Sequence, residues 1–259
     1  MFAYEFMRNA FMAGGIVALV AGTTGYFLVL RNSAFAGHAL SHVGFAGATG
    51  ALLVGVGPLW GLVALTLAAG VAMGLLGERL RERDIAIGIV LSLALGFGLL
   101  FLSLYTSRAT TATAILFGNV LGVDRATVWS LAGLSALSLL LLAAVSRPLL
   151  FATLAPALAE AKGVSPRLVS VLFLAIVAVA VAEAAQVVGV LLVFALMVGP
   201  GAAALRLTSR IGAGVAVAAG LAVAETWCGI ALAYVTDRPT SFWIVLVSCS
   251  VYFLSLLRR

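Results

Sequence analysis

"LVSVLFLAIVAVAVAEAAQVVGVLLVFALMVGPGAAAL" runs from Leu168 to Leu205 without a lysine or arginine, and its only acid is Glu183. A membrane span needs about 20 apolar residues. The stretch is too long for one span and reads as two, divided near Glu183 and Gln186. Lipid offers no hydrogen bonds to the backbone, so only helices and closed barrels cross it. Barrel strands alternate apolar and polar residues, and this stretch does not alternate. It sets the class as an all-α polytopic membrane protein.

The rest of the chain agrees. Of its 259 residues, 64% are hydrophobic and 9% are charged, against about 25% charged in a soluble domain. Mean hydropathy is +1.22. That leaves too little polar surface to cover a soluble globule. About nine transmembrane helices are expected, near Ala10–Leu30, Ala34–Val56, Leu59–Gly77, Ile85–Leu104, Thr127–Val145, Leu168–Glu183, Ala185–Leu205, Gly212–Val235 and Phe242–Leu257. One membrane domain is expected over residues 1–259, with no room for a soluble catalytic domain. The first apolar run is too long for a cleaved signal and is expected to be a retained helix.

Charge then orients the spans. Arg31, Arg79, Arg81, Arg83, Arg147, Lys162, Arg167, Arg206, Arg210, Arg258 and Arg259 fall on one side; Arg8, Arg108, Arg125 and Arg238 fall on the other. Cytoplasmic loops carry the excess of basic residues. The first side is therefore expected to be cytoplasmic, with the N-terminus outside. The net charge of +6 marks helix ends and gives no reason to expect nucleic acid. Cys228 and Cys249 lie in apolar segments and do not form a secreted disulfide framework. No GxxxxGK[ST] loop is present, so the chain does not bind ATP by that route.

Two connections stand out. On the cytoplasmic side, Ser146–Arg167 is the longest. Its centre, Pro156–Lys162, is expected to be a short helix, with proline at the first turn and Gly163 as its stop. On the outer side, Tyr105–Arg125 is neither a span nor a simple turn and is expected to be re-entrant or surface-lying. Gly14, Gly22 and Gly25, and Gly70, Gly74 and Gly77, give the small-residue spacing that lets membrane helices pack closely.

Ionisable side chains inside a bilayer are costly and functionally suspect. Here they are His38, His42, Glu183 and Glu225, with Gln186 and Cys228 as weaker polar candidates. His38 and His42, the only histidines, stand at i and i+4, on one helix face. Imidazoles so spaced can share a zinc-like ion. The alternative is two neutral histidines bonded to neighbouring helices. Metalloprotease chemistry would need a Glu after the first histidine, and Ala39 stands there. Glu225, with Cys228 at i+3, would add a carboxylate and a thiol suited to a borderline-soft cation. Glu183 and Gln186 are expected near the outer ends of their helices, flanking a pathway or reaching the interface. A proton-driven secondary transporter with Glu183 or Glu225 as relay is a further alternative.

Four segments carry a family resemblance: "GYFLVLRNSAFAGHALSHVGFAG" (Gly25–Gly47), "LAEAKGV" (Leu158–Val164), "QVVGVLLVFALMVGPGAAA" (Gln186–Ala204) and "YVTDRPTS" (Tyr234–Ser241). In this order they resemble the metal-ion permeases of bacterial ABC importers for zinc, manganese and iron. The resemblance implies a type II ABC importer-like bundle in the cell membrane. It implies a homodimer served by two cytoplasmic ATP-binding subunits and an extracytoplasmic solute-binding protein. The chain would not itself be an enzyme. The coupling segment, about 147–167, would dock on the ATPase through Leu158, Ala159, Glu160 and Gly163. The family's D-A-L-S-H histidine carries over to His42. Its acid falls on His38, a changed residue type. Nitrogen donors favour zinc over manganese, so Zn2+ is the expected cargo, with Mn2+ or Fe2+ as alternatives and no permanently bound cofactor.

Overall fold

A computed structural model describes residues 4–76, 80–104 and 114–257. Gly77, Arg79, Arg108, Arg258, Arg259 and residues 105–113 of the outer connection lie outside the described residues. The chain forms α1 (Glu5–Leu30), α2 (Ala34–Leu53), α3 (Pro58–Leu76), α4 (Leu80–Leu104), a 3-10 turn (Val120–Gly122), α5 (Arg125–Leu154), α6 (Pro156–Ala161), α7 (Pro166–Val188), α8 (Val193–Leu207), α9 (Ile211–Thr236) and α10 (Thr240–Leu257). No strand occurs among the described residues.

Seven of these helices are long and apolar enough to cross a membrane: α1, α3, α4 from Ile87, α5, α7, α9 and α10. The two other expected spans are different in kind. The α2 helix has 20 residues and carries both histidines with glycine, serine and threonine among its apolar residues. The α8 helix has only 15 residues, ~22 Å at ~1.5 Å per residue, short of the ~30 Å hydrocarbon core.

The helix ends alternate as the charge pattern predicts. At one end the Arg31 guanidinium donates to Thr153 Oγ1 at 2.7 Å and to Ser170 Oγ at 2.8 Å, and it lies 5.5 Å over the Phe173 ring. Arg167 donates to the Leu75 carbonyl at 3.2 Å. These bonds bring the ends of α1, α3 and α5 and the start of α7 together. At the other end, Asn9 Nδ2 donates to the Val123 carbonyl at 3.4 Å.

Two expected boundaries are corrected. The division of Leu168–Leu205 falls at Gly189–Leu192, not at Glu183–Gln186. Glu183 does not end its helix because its carboxyl is bonded to a neighbouring helix; Gly189, at φ +88°, does. The fifth span continues beyond Val145, through Pro148, to Leu154. Most of the presumed cytoplasmic connection is therefore helix, and only Ala155 and residues 162–165 link α5, α6 and α7.

The outer connection is not simply surface-lying, since its described part packs on the α7–α8 break. The N–H groups of Val190 and Leu191 donate to the carbonyls of Ile115 and Leu116 at 3.1 and 3.2 Å. Gly118 and Gly189, both at positive φ, interlock so closely that a Cβ on either would meet the other's backbone. Irregular backbone at a helix break has orphan polar groups, and these two bonds satisfy part of them.

The small-residue spacing does what close packing requires. A Cβ on Gly25 of α1 would collide with the Met197 carbonyl of α8, and one on Gly22 would meet the Ala218 carbonyl and Ala222 of α9 at 2.5 and 2.8 Å. Gly70 and Gly74 let α3 approach Leu174 and Val171 of α7 in the same way. Gly25→Val is expected to lower sharply the yield of monodisperse protein on gel filtration in detergent. Gly133→Ala, where a Cβ meets nothing within 4 Å, should leave that yield unchanged.

Candidate functional site

The site begins with the turn that starts α2. The N–H of Ser33 donates to the Leu28 carbonyl and that of Asn32 to the Val29 carbonyl, with Asn32 at φ 53°. This closes α1 with the 6→1 and 5→2 bonds of a Schellman motif and reverses the chain into α2. His42 lies eight residues beyond Ala34, ~12 Å along the axis at ~1.5 Å per residue.

As i, i+4 spacing predicts, the two imidazoles share a face. Their centroids are 4.8 Å apart and their planes meet at 85°. Both side chains are half-buried. His38 also packs edge-on against Phe194 of α8, at 5.4 Å, and beside Phe35 at 6.5 Å. The Nδ1 atom of His42 is buried with no hydrogen-bond partner. Buried polar atoms nearly always find a partner, so this nitrogen is the kind of donor atom an external cation would complete. Ser41 does not compete for it; its hydroxyl donates to the His38 carbonyl at 2.7 Å.

The other expected ligands do not join the pair. Among the described residues no three His, Cys, Asp or Glu side chains lie close enough to hold one ion. Glu225 is buried in α9 and neither carboxyl oxygen has a hydrogen-bond partner. Cys228 is exposed on the outside of the bundle. Cys228, three residues after Glu225, is exposed where Glu225 is buried. The buried stripe of α9 runs through Ala218, Ala222, Glu225, Thr226 and Gly229, and Cys228 falls beyond its edge.

Glu183 is fully buried on the seam between α5 and α7. It accepts hydrogen bonds from Ser135, at short range, and from Ser138 at 3.3 Å. Ser135 and Ser138 stand three residues apart on α5, the spacing that puts both hydroxyls on one face. Sequence reasoning missed them, though two serines so spaced in an apolar helix were the available signal. Phe194 was missed too, because nothing in the sequence pairs it with His38. Gln186 follows one turn after Glu183 and is half-buried.

At the opposite end from the outer connection, α6 presents Leu158 and Glu160 outward, and Gly163 is exposed. Ala159 is fully buried and cannot be a docking contact; it anchors the short helix to the bundle. Gly163 is the stop that was expected, at φ +80°, with the Val164 N–H bonded to the Ala159 carbonyl at 2.9 Å.

Comparison with known proteins gives a consistent answer. The model of the ABC 3 transport family matches residues 3–259. The chain is 30% identical to the "Manganese transport system membrane protein MntC" of Halalkalibacterium halodurans, covering 98% of this chain and 87% of that protein. It is 31% identical to the "Probable iron transport system membrane protein" of Haemophilus influenzae, covering 98% and 93%. Its fold is similar to a solved structure, "PsaBC from Streptococcus pneumoniae in complex with Fab", with a TM-score of 0.87 and 26% identity over 97% of this chain and 91% of that one.

The Glu183 seam gives a prediction independent of those comparisons. Ser135→Ala with Ser138→Ala leaves a buried carboxyl without donors, which costs about 1–3 kcal/mol. A lower melting temperature of the purified protein in detergent is the expected result.

Proposed function

The chain belongs to the ABC 3 transport family, and from that premise we propose that it is the membrane-spanning permease of an ATP-driven importer of divalent metal ions, with zinc the favoured cargo. The observation that carries this reading is the His38–His42 pair. The two imidazoles meet edge-on on one face of their helix, and one buried nitrogen lacks any partner in the protein.

Two nitrogens per subunit suit transit better than storage. A closed four-ligand zinc site binds too tightly to release its ion. In a homodimer two such pairs meet the cation together, and motion of one subunit against the other separates them. His38 and His42 are the path ligands. Glu225 and Cys228 are set aside as ligands because of where they lie. The imidazole at position 38 favours zinc, since nitrogen donors suit it better than manganese. The relatives' names support a second reading, with manganese or ferrous iron as cargo.

ATP hydrolysis is assigned to two separate cytoplasmic subunits that dock on α6 and the segment around it, through Leu158, Glu160 and Gly163. A solute-binding protein delivers the ion to the opposite face. The basic ends that gather Arg31 and Arg167 support a cytoplasmic placement for α6.

His42→Ala should abolish metal uptake by the assembled transporter in vesicles while its membrane level is unchanged. Normal uptake would overturn the path assignment. In competition uptake, zinc should displace a labelled ion more effectively than manganese. The reverse order would select the second reading. Leu158→Asp should uncouple the transporter, with reduced ATPase association on co-purification and the permease fold intact by gel filtration. Uptake that persists without any ATPase partner would instead support a proton-driven carrier.

A further inference from the structure

A basic residue at the cytoplasmic end of a membrane helix ordinarily lays its stem along apolar surface and leaves its head in water. Arg147, Lys162, Arg206 and Arg210 are exposed in that way. Arg31 is not. It closes α1, is half-buried, and turns its guanidinium onto two other helices. One nitrogen donates to Thr153 Oγ1 of α5 at 2.7 Å and another to Ser170 Oγ of α7 at 2.8 Å. The guanidinium carbon lies 5.5 Å over the ring of buried Phe173. The Thr153 hydroxyl gives its own proton to the Leu149 carbonyl at 2.5 Å, which leaves a lone pair for the guanidinium. Hydrogen bonds from a charged donor are among the stronger ones. A planar fork reaches two acceptors and a ring face at once, as a lysine ammonium cannot.

Both acceptors flank α6. Thr153 stands two residues before Ala155, the single residue between α5 and α6, and Ser170 lies in the first two turns of α7. The Ala155 N–H donates to the Phe151 carbonyl at 3.0 Å and the Ala159 N–H to the Ala155 carbonyl at 2.9 Å. Backbone bonding thus runs on from α5 into α6, and a shift of α6 displaces its two flanking helix ends. The main chain of Arg31 faces the other way. Its carbonyl accepts from Ser33 Oγ at 3.2 Å, and buried Ser33 is the N-cap of α2. Gly37 lies so near Leu28 that a Cβ would come within 2.6 Å of that side chain. The first turn of α2 is thereby seated on the end of α1, and His38 is the next residue.

We infer that Arg31 is the mechanical tie between the ATPase-docking segment and the histidine pair. Its guanidinium follows α6 through Thr153 and Ser170, and its main chain passes that displacement to the start of α2 and so to His38 and His42. Packed side chains, hydrogen bonds and rigid helices are what carry coupling between sites, and here they run without a gap from α6 to His38. A positive charge has no place among the ligands of a cation, so Arg31 is a positioning residue and not a path ligand. This tie rests on the reading of α6 as the docking segment and of the histidines as the path.

The test measures metal uptake and ATP hydrolysis together, on the transporter assembled with its ATPase subunits in vesicles. Thr153→Val with Ser170→Ala removes both acceptors. Uptake per ATP hydrolysed should fall about tenfold, within the usual range for coupling between sites, while the rate of ATP hydrolysis and assembly on gel filtration are unchanged. Arg31→Lys should lower the ratio as well, because one ammonium cannot hold both acceptors. Thr153→Ser keeps a hydroxyl and should keep the wild-type ratio. A ratio unchanged in the double variant, or lowered in Thr153→Ser, would overturn the inference. So would uptake and hydrolysis that fall in proportion, the mark of a contact that only holds the fold. Failure of the underlying reading shows elsewhere: normal uptake in His42→Ala would remove the path, and undiminished ATPase association in Leu158→Asp would remove the docking segment.

Discussion

A helical bundle in lipid must satisfy its polar groups internally, because the surrounding solvent offers them nothing. Most features of this protein follow from that constraint. Backbone groups are consumed by the helices. Where a helix breaks, at Gly189–Leu192, the carbonyls of Ile115 and Leu116 take up the freed N–H groups. Where a carboxyl is buried, at Glu183, two serines of α5 reach it. Where a guanidinium enters the bundle, at Arg31, two hydroxyls and a phenyl ring receive it. Among the described residues, the buried side-chain groups left over are His42 Nδ1, the Glu225 carboxyl and the Thr226 hydroxyl, and they are therefore informative.

Lipid also removes the hydrophobic drive between helices, so close packing must supply cohesion. The glycines of α1 and α3 do this by bringing backbones nearly into contact with α8, α9 and α7. The two helices least suited to face lipid, α2 and the short α8, meet at His38 and Phe194. That pairing is economical. Polar residues and short helices are tolerated only where other protein or a polar path shields them, and the same shielding is what an ion route needs.

Much of the fold was legible because hydropathy reports span positions directly. The expected positions of α1 to α4, α9 and α10 agree with the structure to within a few residues. Gly163 as the stop of α6 was legible because a left-handed helix end favours glycine. The α7–α8 division was misplaced because a glutamate in an apolar run looks like an interruption until its serine partners are known. Gly189, the actual break, resembles many other glycines in this chain that lie within helices. The expected fifth span stopped at Val145 because the apolar run is interrupted there, yet the helix passes through Arg147 and Pro148 to Leu154.

Sequence by itself determined the class, the alternation of helix ends and the sharing of one face by His38 and His42. Each depends only on composition or on the period of a single helix, and a helix fixes the angle between its own residues whatever surrounds it. Tertiary structure decided how each helix is rotated about its axis. Sequence spacing alone put Glu225 and Cys228 on nearly one face, but packing against α1, α8 and α10 turned Glu225 inward and left Cys228 outside. It likewise set Glu183 on the α5 seam and Ala159 against the bundle. Rotation is set by which neighbours a helix buries against, and that is a property of the assembled bundle rather than of any one segment.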